Sequence, residues 1–287
     1  MNGFTNFDVP VRGRLLSQRV KIGSVWVSIM EPSVGCEVAF NEWYADDHFY
    51  AGGMNLPWIF AGRRWICPRE YQALRLPASS SIAEPLKAGC FLHLNFFAQG
   101  HMEEATTMLG DTIASLAKEG RMYVDTILRR HVFSRLQPYV GTVYANPEEN
   151  GPLDIQALSY PFDGVVVEIL KASPNTTRDV LLQWLAKEFI PTQIGPTEAE
   201  MCLICLDADL PDTVTRKTSR VPAMYGDEAN RRLTLLWFVE NDPATNWQRR
   251  FASHYEVIGA TGLGEIEFSS PFIPTLPGTN RHIDRLR

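Results

Sequence analysis

The chain carries one helical pattern twice, and a duplicated pattern constrains a fold more tightly than composition does. Residues Phe40-Asn41-Glu42-Trp43-Tyr44-Ala45-Asp46-Asp47-His48-Phe49-Tyr50 align without gaps on Leu181-Leu182-Gln183-Trp184-Leu185-Ala186-Lys187-Glu188-Phe189-Ile190-Pro191. The tryptophan, the alanine and an acid recur, whereas Tyr44 becomes Leu185 and His48 becomes Phe189. If the two halves share a fold, the first keeps titratable side chains where the second has only packing.

Apolar runs and the residues that break them predict the order β-α-β-β-α-β in each half. In the first half these are a strand over 24–30, a helix carrying Trp43 and His48 that ends at Gly52-Gly53, strands over 58–67 and 90–98, a helix over 102–118, and a strand over 122–133. In the second they are strands over 164–170, 200–206, 233–240 and 264–268, and helices over 177–189 and 243–258, the last opened by Asn241-Asp242-Pro243. A stretch rich in Pro, Gly, Asn and Glu, 138–161, reads as a linker. It divides the chain into a first repeat over 1–137 that carries the candidate site and a second over 162–287 that includes a C-terminal tail. Long connections over 69–89 and 206–232 have the length of lids.

With 287 residues, 45% hydrophobic and 21% charged, the chain has enough apolar surface for sizeable cores. Its net charge of -6 and isolated arginine pairs argue against nucleic-acid or anionic-membrane partners, which need a concentrated basic patch. No apolar run reaches the ~18 residues of a membrane span, and residues 1–14 hold no signal-peptide core, so a cytoplasmic location is expected. Five cysteines suit reduced thiols. Cys202 and Cys205 have metal-motif spacing, but three residues apart on a buried strand they face opposite ways.

A β-α-β-β-α-β unit is the split ferredoxin-like motif, an antiparallel sheet with both helices on one face. Two such sheets in one chain can cover each other. With Phe40-Asn41-Glu42-Trp43-Tyr44-x-x-Asp47-His48 and the following Arg63-Arg64 strand, the chain resembles the dimeric α/β-barrel superfamily and its small EthD-like members, in a tandem-repeat form. That resemblance implies an α+β fold of two ferredoxin-like repeats packed sheet to sheet as a barrel-like core. It also implies a range of chemistries: cofactor-free cyclases, isomerases, monooxygenases, dehydrochlorinases and haem enzymes. Because Phe189 replaces the second histidine, any site is unequal between the halves. The duplication removes the need for a dimer while leaving a homodimer open.

His48 follows Tyr44 by four residues and Phe40 by eight, so the three share a helical face, with Asp47 adjacent and Trp43 about one turn before. A histidine oriented by a phenol or carboxylate is a general base near neutral pH; a helix-end cation near Gly52 is the structural alternative. On the third strand, alternation separates apolar Cys90, Leu92, Leu94 and Phe96, expected to face the helices, from Phe91, His93, Asn95 and Phe97, expected to line a pocket or a satisfied core. Arg63 or Arg64 could bind a carboxylate or an oxyanion, one of the two pointing outward because strand neighbours face opposite ways, and His131 lies either in the same cavity or at a wet edge. His101, His254 and His282 read as surface residues.

These residues suggest a cofactor-independent enzyme of the lyase, isomerase or cyclase type acting on a small apolar, aromatic or polyketide-like substrate. In that reading His48 is the acid/base, Tyr44 and Asp47 orient it, and His93, Asn95 and Arg63 or Arg64 hold negative charge. Trp43 and His131 would line the site. The alternatives are a haem- or oxygen-dependent oxidoreductase of the same fold, with His93 or His131 as the axial ligand, and a non-catalytic small-molecule-binding protein. No metal motif is present.

Overall fold

A computed structural model describes residues 20–122, 127–147, 151–208 and 226–287. The expected lid over 206–232 therefore lies largely outside the described residues, as do the N-terminal residues 1–19, part of the linker, and the stretch 123–126 where the fourth strand was expected to begin.

Eight strands form a closed antiparallel barrel: β1 (Ile22–Pro32), β2 (Ile59–Ile66), β3 (Phe91–Ala98), β4 (Leu128–Tyr144), β5 (Gly164–Ala172), β6 (Ala199–Leu206), β7 (Arg232–Val239) and β8 (Gly264–Pro274). Around the barrel they run β1-β3-β2-β8-β5-β7-β6-β4. The first four thus lie in the order β4-β1-β3-β2 and the last four in the matching order β8-β5-β7-β6. The two sets meet edge to edge, β4 with β6 through residues 139–144 and β2 with β8 through Trp65 and Ile66. The expected barrel-like core is thus closed through the strand edges. An open sheet leaves unpaired backbone groups along both edges, and closure pairs them.

Closure also corrects the linker. Residues 138–144 belong to β4, whose 17 residues cross from one set of strands to the other, so Pro138 and Gly141 are strand residues. A register shift between Tyr139 and Gly141 accompanies the crossing, as bulges commonly do where a strand bends.

The barrel interior is apolar. Val25, Val27 and Ile29 of β1 meet Leu92, Leu94 and Phe96 of β3, together with Trp65, Val167, Leu236 and Phe238, all at most 1% exposed. The β3 face expected to look at the helices therefore looks inward, and Phe91, His93, Asn95 and Phe97 lie beneath the helical layer. The reason is enclosure: a space sealed by eight strands offers little water, so the uniformly apolar face goes there. Cys205 joins this interior and Cys202 the helix-side cluster, on the opposite faces that their spacing requires.

The connection over 69–89 closes on this core. Arg75, 3% exposed, donates to the carbonyls of Leu86, Ala88 and Gly89 and to Ser270 Oγ, while Ile82, Ala83 and Ala88 join the interior cluster. Among the described residues no helix is long and apolar enough to cross a membrane.

Helices cover the outside. The first begins as Glu37–Trp43 and widens into π-helical turns over Tyr44–His48 and Tyr50–Met54, passing through Gly52-Gly53 instead of ending there. Its counterpart begins at Arg178–Trp184 with Thr177 capping Val180 N, widens over Leu185–Phe189, and continues as Ile190–Thr197 beyond the expected end. The helix Met102–Lys118 stands close to its expected place. The last helix starts late: Asp242 caps a turn at Ala244, and helical structure runs from Gln248–Ala252 into Ser253–Ala260. Trp58, expected on a strand, sits before β2 with φ 72° and stacks on His101 at 3.5 Å.

Candidate active site

Phe40, Tyr44 and His48 descend one face of the first helix toward the outer side of β3. Phe40 is fully buried against Phe91 at 4.9 Å, a burial that stabilises by roughly 2–3 kcal/mol. The π-helical widening then brings Gly52 over His48. A Cβ at Gly52 would stand 2.8 Å from His48 Cε1, and one at Gly53 would stand 3.3 Å from Asn95 Nδ2. The glycines therefore serve close approach, since a larger residue at 52 would push His48 from its place. Widened turns of this kind are frequent at functional sites.

The geometry reassigns the expected partners. Tyr44 Oη lies 2.6 Å from Nδ1 of His93, not of His48. His48 lies flat on Trp43, centroids 4.5 Å apart and planes 17° from parallel, and meets the Tyr44 ring edge-on at 5.0 Å. Trp43 is fixed in turn by donating from Nε1 to Arg121 O at 2.9 Å. Asp47 leans the other way and pairs with Arg121. Tyr44 and Asp47 are thus not hydrogen-bonded orienters of His48, because each side chain reaches a different neighbour.

Of the two arginines, Arg64 belongs to this cluster: 6% exposed, it sits 4.7 Å above the Tyr44 ring and donates to Asn41 O and Oδ1. Arg63 points to the other face, stacked over Trp65 at 4.4 Å and donating to Tyr160 O and Phe162 O. His131 is half-buried with Nδ1 3.2 Å from Ser28 Oγ, close enough for its charge to disfavour charge on His48 and His93. It therefore belongs beside the cluster and not at a wet edge.

Electrostatically, the site is a set of neutral rings around one cation. Burial holds His48 down to about 4, with His131 adding to the effect and Asp47 opposing it. Burial alone takes His131 to about 4, and burial followed by the Arg64 charge keeps His93 well below the usual histidine range. Burial raises the Tyr44 phenol above its ordinary value, against the pull of Arg64. Arg64 itself falls to about 10 through burial, opposed by Tyr44 and Asp46. A protonated phenol next to a neutral imidazole donates to it, which assigns the His93 proton to Nε2.

Three buried atoms here lack a hydrogen bond of normal geometry: His93 Nε2, Asn95 Oδ1 and His48 Nδ1. Asn95 still acts on His93 as a weak side-chain acceptor, too poorly placed to close a full bond. Unsatisfied buried polar atoms cost about 1–3 kcal/mol each, so a group of them calls for an explanation, a functional role being one. A cavity of about 370 Å³ flanks the same helix on its outer side, lined by Asp46, Asp47, Tyr50, Ala51, Met54, Asn55 and Arg121. Met54 stands between it and the cluster, its Sδ 3.8 Å from Asn95 Nδ2 and seated where Gly62 has no side chain.

Among the described residues no group of three or more His, Cys, Asp or Glu could hold a metal ion. Of the two candidate haem ligands, His93 is hemmed by Tyr44 at 5.2 Å and Phe49 at 5.5 Å under the tight Gly52-Gly53 approach, which leaves no room for the group there, and His131 bonds Ser28 through Nδ1.

The second half carries a matching ring pair with an apolar ring in place of the imidazole. Phe189 stacks on Trp184 at 5.2 Å and 29°, the relation of His48 to Trp43. One feature there escaped the sequence reading: His254, expected at the surface, is fully buried with Nδ1 3.0 Å from Glu168, which also accepts from Trp237 Nε1 at 2.8 Å. The signal was Glu168 itself, since a carboxylate inside the apolar run Val165–Leu170 requires partners. Asn41 was also missed, and no local pattern marks it.

No family model matches the chain, and no curated protein matches it. Solved structures do. A candidate monooxygenase from Fusobacterium nucleatum subsp. nucleatum aligns with TM-score 0.50 and 10% identity over 88% of this chain and 93% of its own. An anthrone oxidase-like protein aligns at 0.47 and 10% identity, over 89% of this chain and 92% of its own. An encapsulated DyP-type peroxidase from Mycobacterium smegmatis aligns at 0.42 and 11% identity, over 97% and 98%. The first of these likenesses supports a dimeric α/β-barrel-like fold, and at such identity it speaks for the fold alone.

Proposed function

We propose that this chain is a cofactor-free, oxygen-using oxidoreductase acting on a small phenolic or enolisable aromatic molecule. The observation that carries the reading is the pair of imidazole nitrogens without a hydrogen bond of normal geometry, His48 Nδ1 and His93 Nε2, on rings that each meet Tyr44 edge-on, at 5.0 and 5.2 Å, with Arg64 over the Tyr44 ring. His48 accepts the substrate proton. The His93 Nε2–H and the Arg64 guanidinium hold the charge left behind, as preorganised donors do in oxyanion sites. A neutral histidine serving as electrophile beside a separate base has precedent.

Magnitudes decide which parts are indispensable. The difference between a phenol near 10 and an imidazole near 4 corresponds to about 8 kcal/mol against proton transfer. Only an anion held next to the new imidazolium and Arg64 in a dry site offsets that, so Arg64 matters as much as the base.

A stabilised carbanion gives its electrons to O2: a C–O bond forms, the peroxide takes from His48 the proton removed first, and His48 then removes the second C–H proton as the O–O bond breaks, that proton and the departing hydroxide leaving as water. A CH2 group plus O2 thereby becomes C=O plus H2O. The description of one fold neighbour, a candidate monooxygenase, supports oxidation over the isomerase reading.

We also read the chain as a tandem duplication of ferredoxin-like halves that share one barrel, the matching strand orders being the support. The test is oxygen uptake with 1,8-dihydroxyanthrone and substituted hydroquinones. One O2 consumed per anthrone, abolished in His48→Phe, supports the proposal. Anaerobic deuterium exchange or isomerisation without uptake replaces it with the isomerase reading, and saturable binding without turnover with the binding-protein reading.

A further inference from the structure

Arg64 is held at its carbonyl by a residue from the other half of the chain, and the residue that holds its guanidinium is itself bonded to that half. Beyond β8, Thr275 donates from its backbone N and its Oγ1 to Arg64 O, both at 3.1 Å. A few residues on, Asn41 Nδ2 donates to Thr279 O and to Asn280 Oδ1, each at 2.9 Å. Asn280 Nδ2 in turn donates to Glu42 Oε1 at 2.7 Å. Asn41, 2% exposed, presents its Oδ1 and its backbone O to the two guanidinium nitrogens of Arg64 at 3.2 and 3.3 Å.

The tail then turns back onto the helix. Ile283 and Leu286 enter the cluster formed by Phe40, Trp43, Tyr44 and Phe91, and Arg287 pairs with Glu31 and Glu37 at 2.7 Å. Hydrophobic burial explains why the tail stays down. It does not explain why an asparagine on the covered helix face gives both amide hydrogens to the tail and its Oδ1 to one arginine.

We propose that Asn41 is a positioning residue through which the C-terminal segment 275–280 sets Arg64 over Tyr44, so that the first half's site is complete only when the second half's tail is seated. This rests on the role of Arg64 proposed above. A primary amide suits the task because its fixed plane relates two donors to one acceptor: if the tail fixes the Nδ2 side, the Oδ1 side has one orientation. Arg64, anchored at its carbonyl by Thr275 and at its guanidinium by Asn41, then has little freedom left. The chain from Asn280 through Asn41, Arg64 and Tyr44 ends at His93 Nδ1. Neither Asn41 nor Asn280 needs to touch substrate.

The test uses the full chain and reads the His93 ring nitrogens by 15N NMR, alongside oxygen uptake with 1,8-dihydroxyanthrone, in Asn41→Ala, Asn280→Ala and Arg285→Ala. Arg285 ties the tail to Glu70, away from Asn41, and serves as the control for general loosening. The expected result is displaced His93 resonances in Asn41→Ala and Asn280→Ala, with kcat down about tenfold at little-changed KM and wild-type values in Arg285→Ala. His93 resonances that superpose on wild type in the two asparagine variants overturn the proposal, as does an equal displacement in all three. If Asn41→Ala does not fold, Asn280→Ala decides alone, since its side chain touches none of Arg64, Tyr44 and His93. Absence of oxygen uptake in the wild type, with the NMR pattern as expected, overturns the oxidase reading and leaves the positioning role standing.

Discussion

His48 lies on Trp43 as Phe189 lies on Trp184, a stacked ring on a tryptophan at the start of a π-helical turn in each half. One slot thus holds an imidazole in the first half and a phenyl ring in the second. What differs is the neighbourhood: Tyr44, His93, Asn95 and Arg64 surround the first ring, while Leu185, Leu235 and Trp237 share a core with the second.

His48→Phe should therefore be tolerated. Unfolding free energy at pH 7 is expected to change by less than about 1.5 kcal/mol, the cost of a shape-compatible swap, and oxygen uptake to disappear. Urea titration and an oxygen electrode on the same preparation check this. A collapsed fold would show that the two slots are not equivalent.

Stability should fall on acidification. The folded pKa values of His48 and His131, about 4, lie below the ordinary histidine value, so the native state binds fewer protons than the unfolded chain in that range. Their contribution is complete above about pH 6.5 and is lost as pH drops toward 4, roughly 3 kcal/mol for each. Urea midpoints at pH 7.5 and 4.5 are expected to differ less in His48→Phe than in wild type.

Gly52→Ala should act through His48. Its Cβ would stand 2.8 Å from Cε1, so the imidazole must leave Trp43. A loss of about 1–3 kcal/mol is expected from the overpacking, with a change in near-ultraviolet circular dichroism. Gly195→Ala, on the corresponding helix where a Cβ meets open space, is the neutral comparison.

Tyr44→Phe removes the donor to His93 Nδ1 and leaves a buried acceptor alone, at a cost of about 1–3 kcal/mol. The freed ring can then carry its proton on either nitrogen. The 15N shifts of His93 are expected to move toward a tautomer mixture, and a spectrum still typical of the Nε2–H form would contradict the assignment made above.

Glu168→Gln tests the second half. The buried carboxylate accepts from His254, Trp237 and Ser269, and an amide cannot satisfy all three. A loss of about 3–5 kcal/mol is expected, read as a fall in Tm, with the catalytic readouts of the folded protein unchanged.

Much of the candidate site was legible as a set of residues and little of it as a set of partners. Tyr44 and His48 share a helix face because four residues make about one turn, and His93 shares a strand face with Asn95 because strands alternate; both follow from local geometry. That Tyr44 would bond His93 and not His48 depends on where β3 passes beneath the helix, and that Asn41 would matter depends on a tail more than two hundred residues away. His254 was misread for the same reason, its partner Glu168 lying on another strand.

The order of elements and the different residues in the two matching helices could be read along the chain, because backbone propensity, turn chemistry and side-chain periodicity act over a few residues. Only the tertiary structure decided which face of β3 became the interior, that the linker's first residues were strand, and which imidazole met which phenol. Those outcomes depend on closing eight strands into one barrel, where burial and edge pairing are settled between segments far apart in the chain.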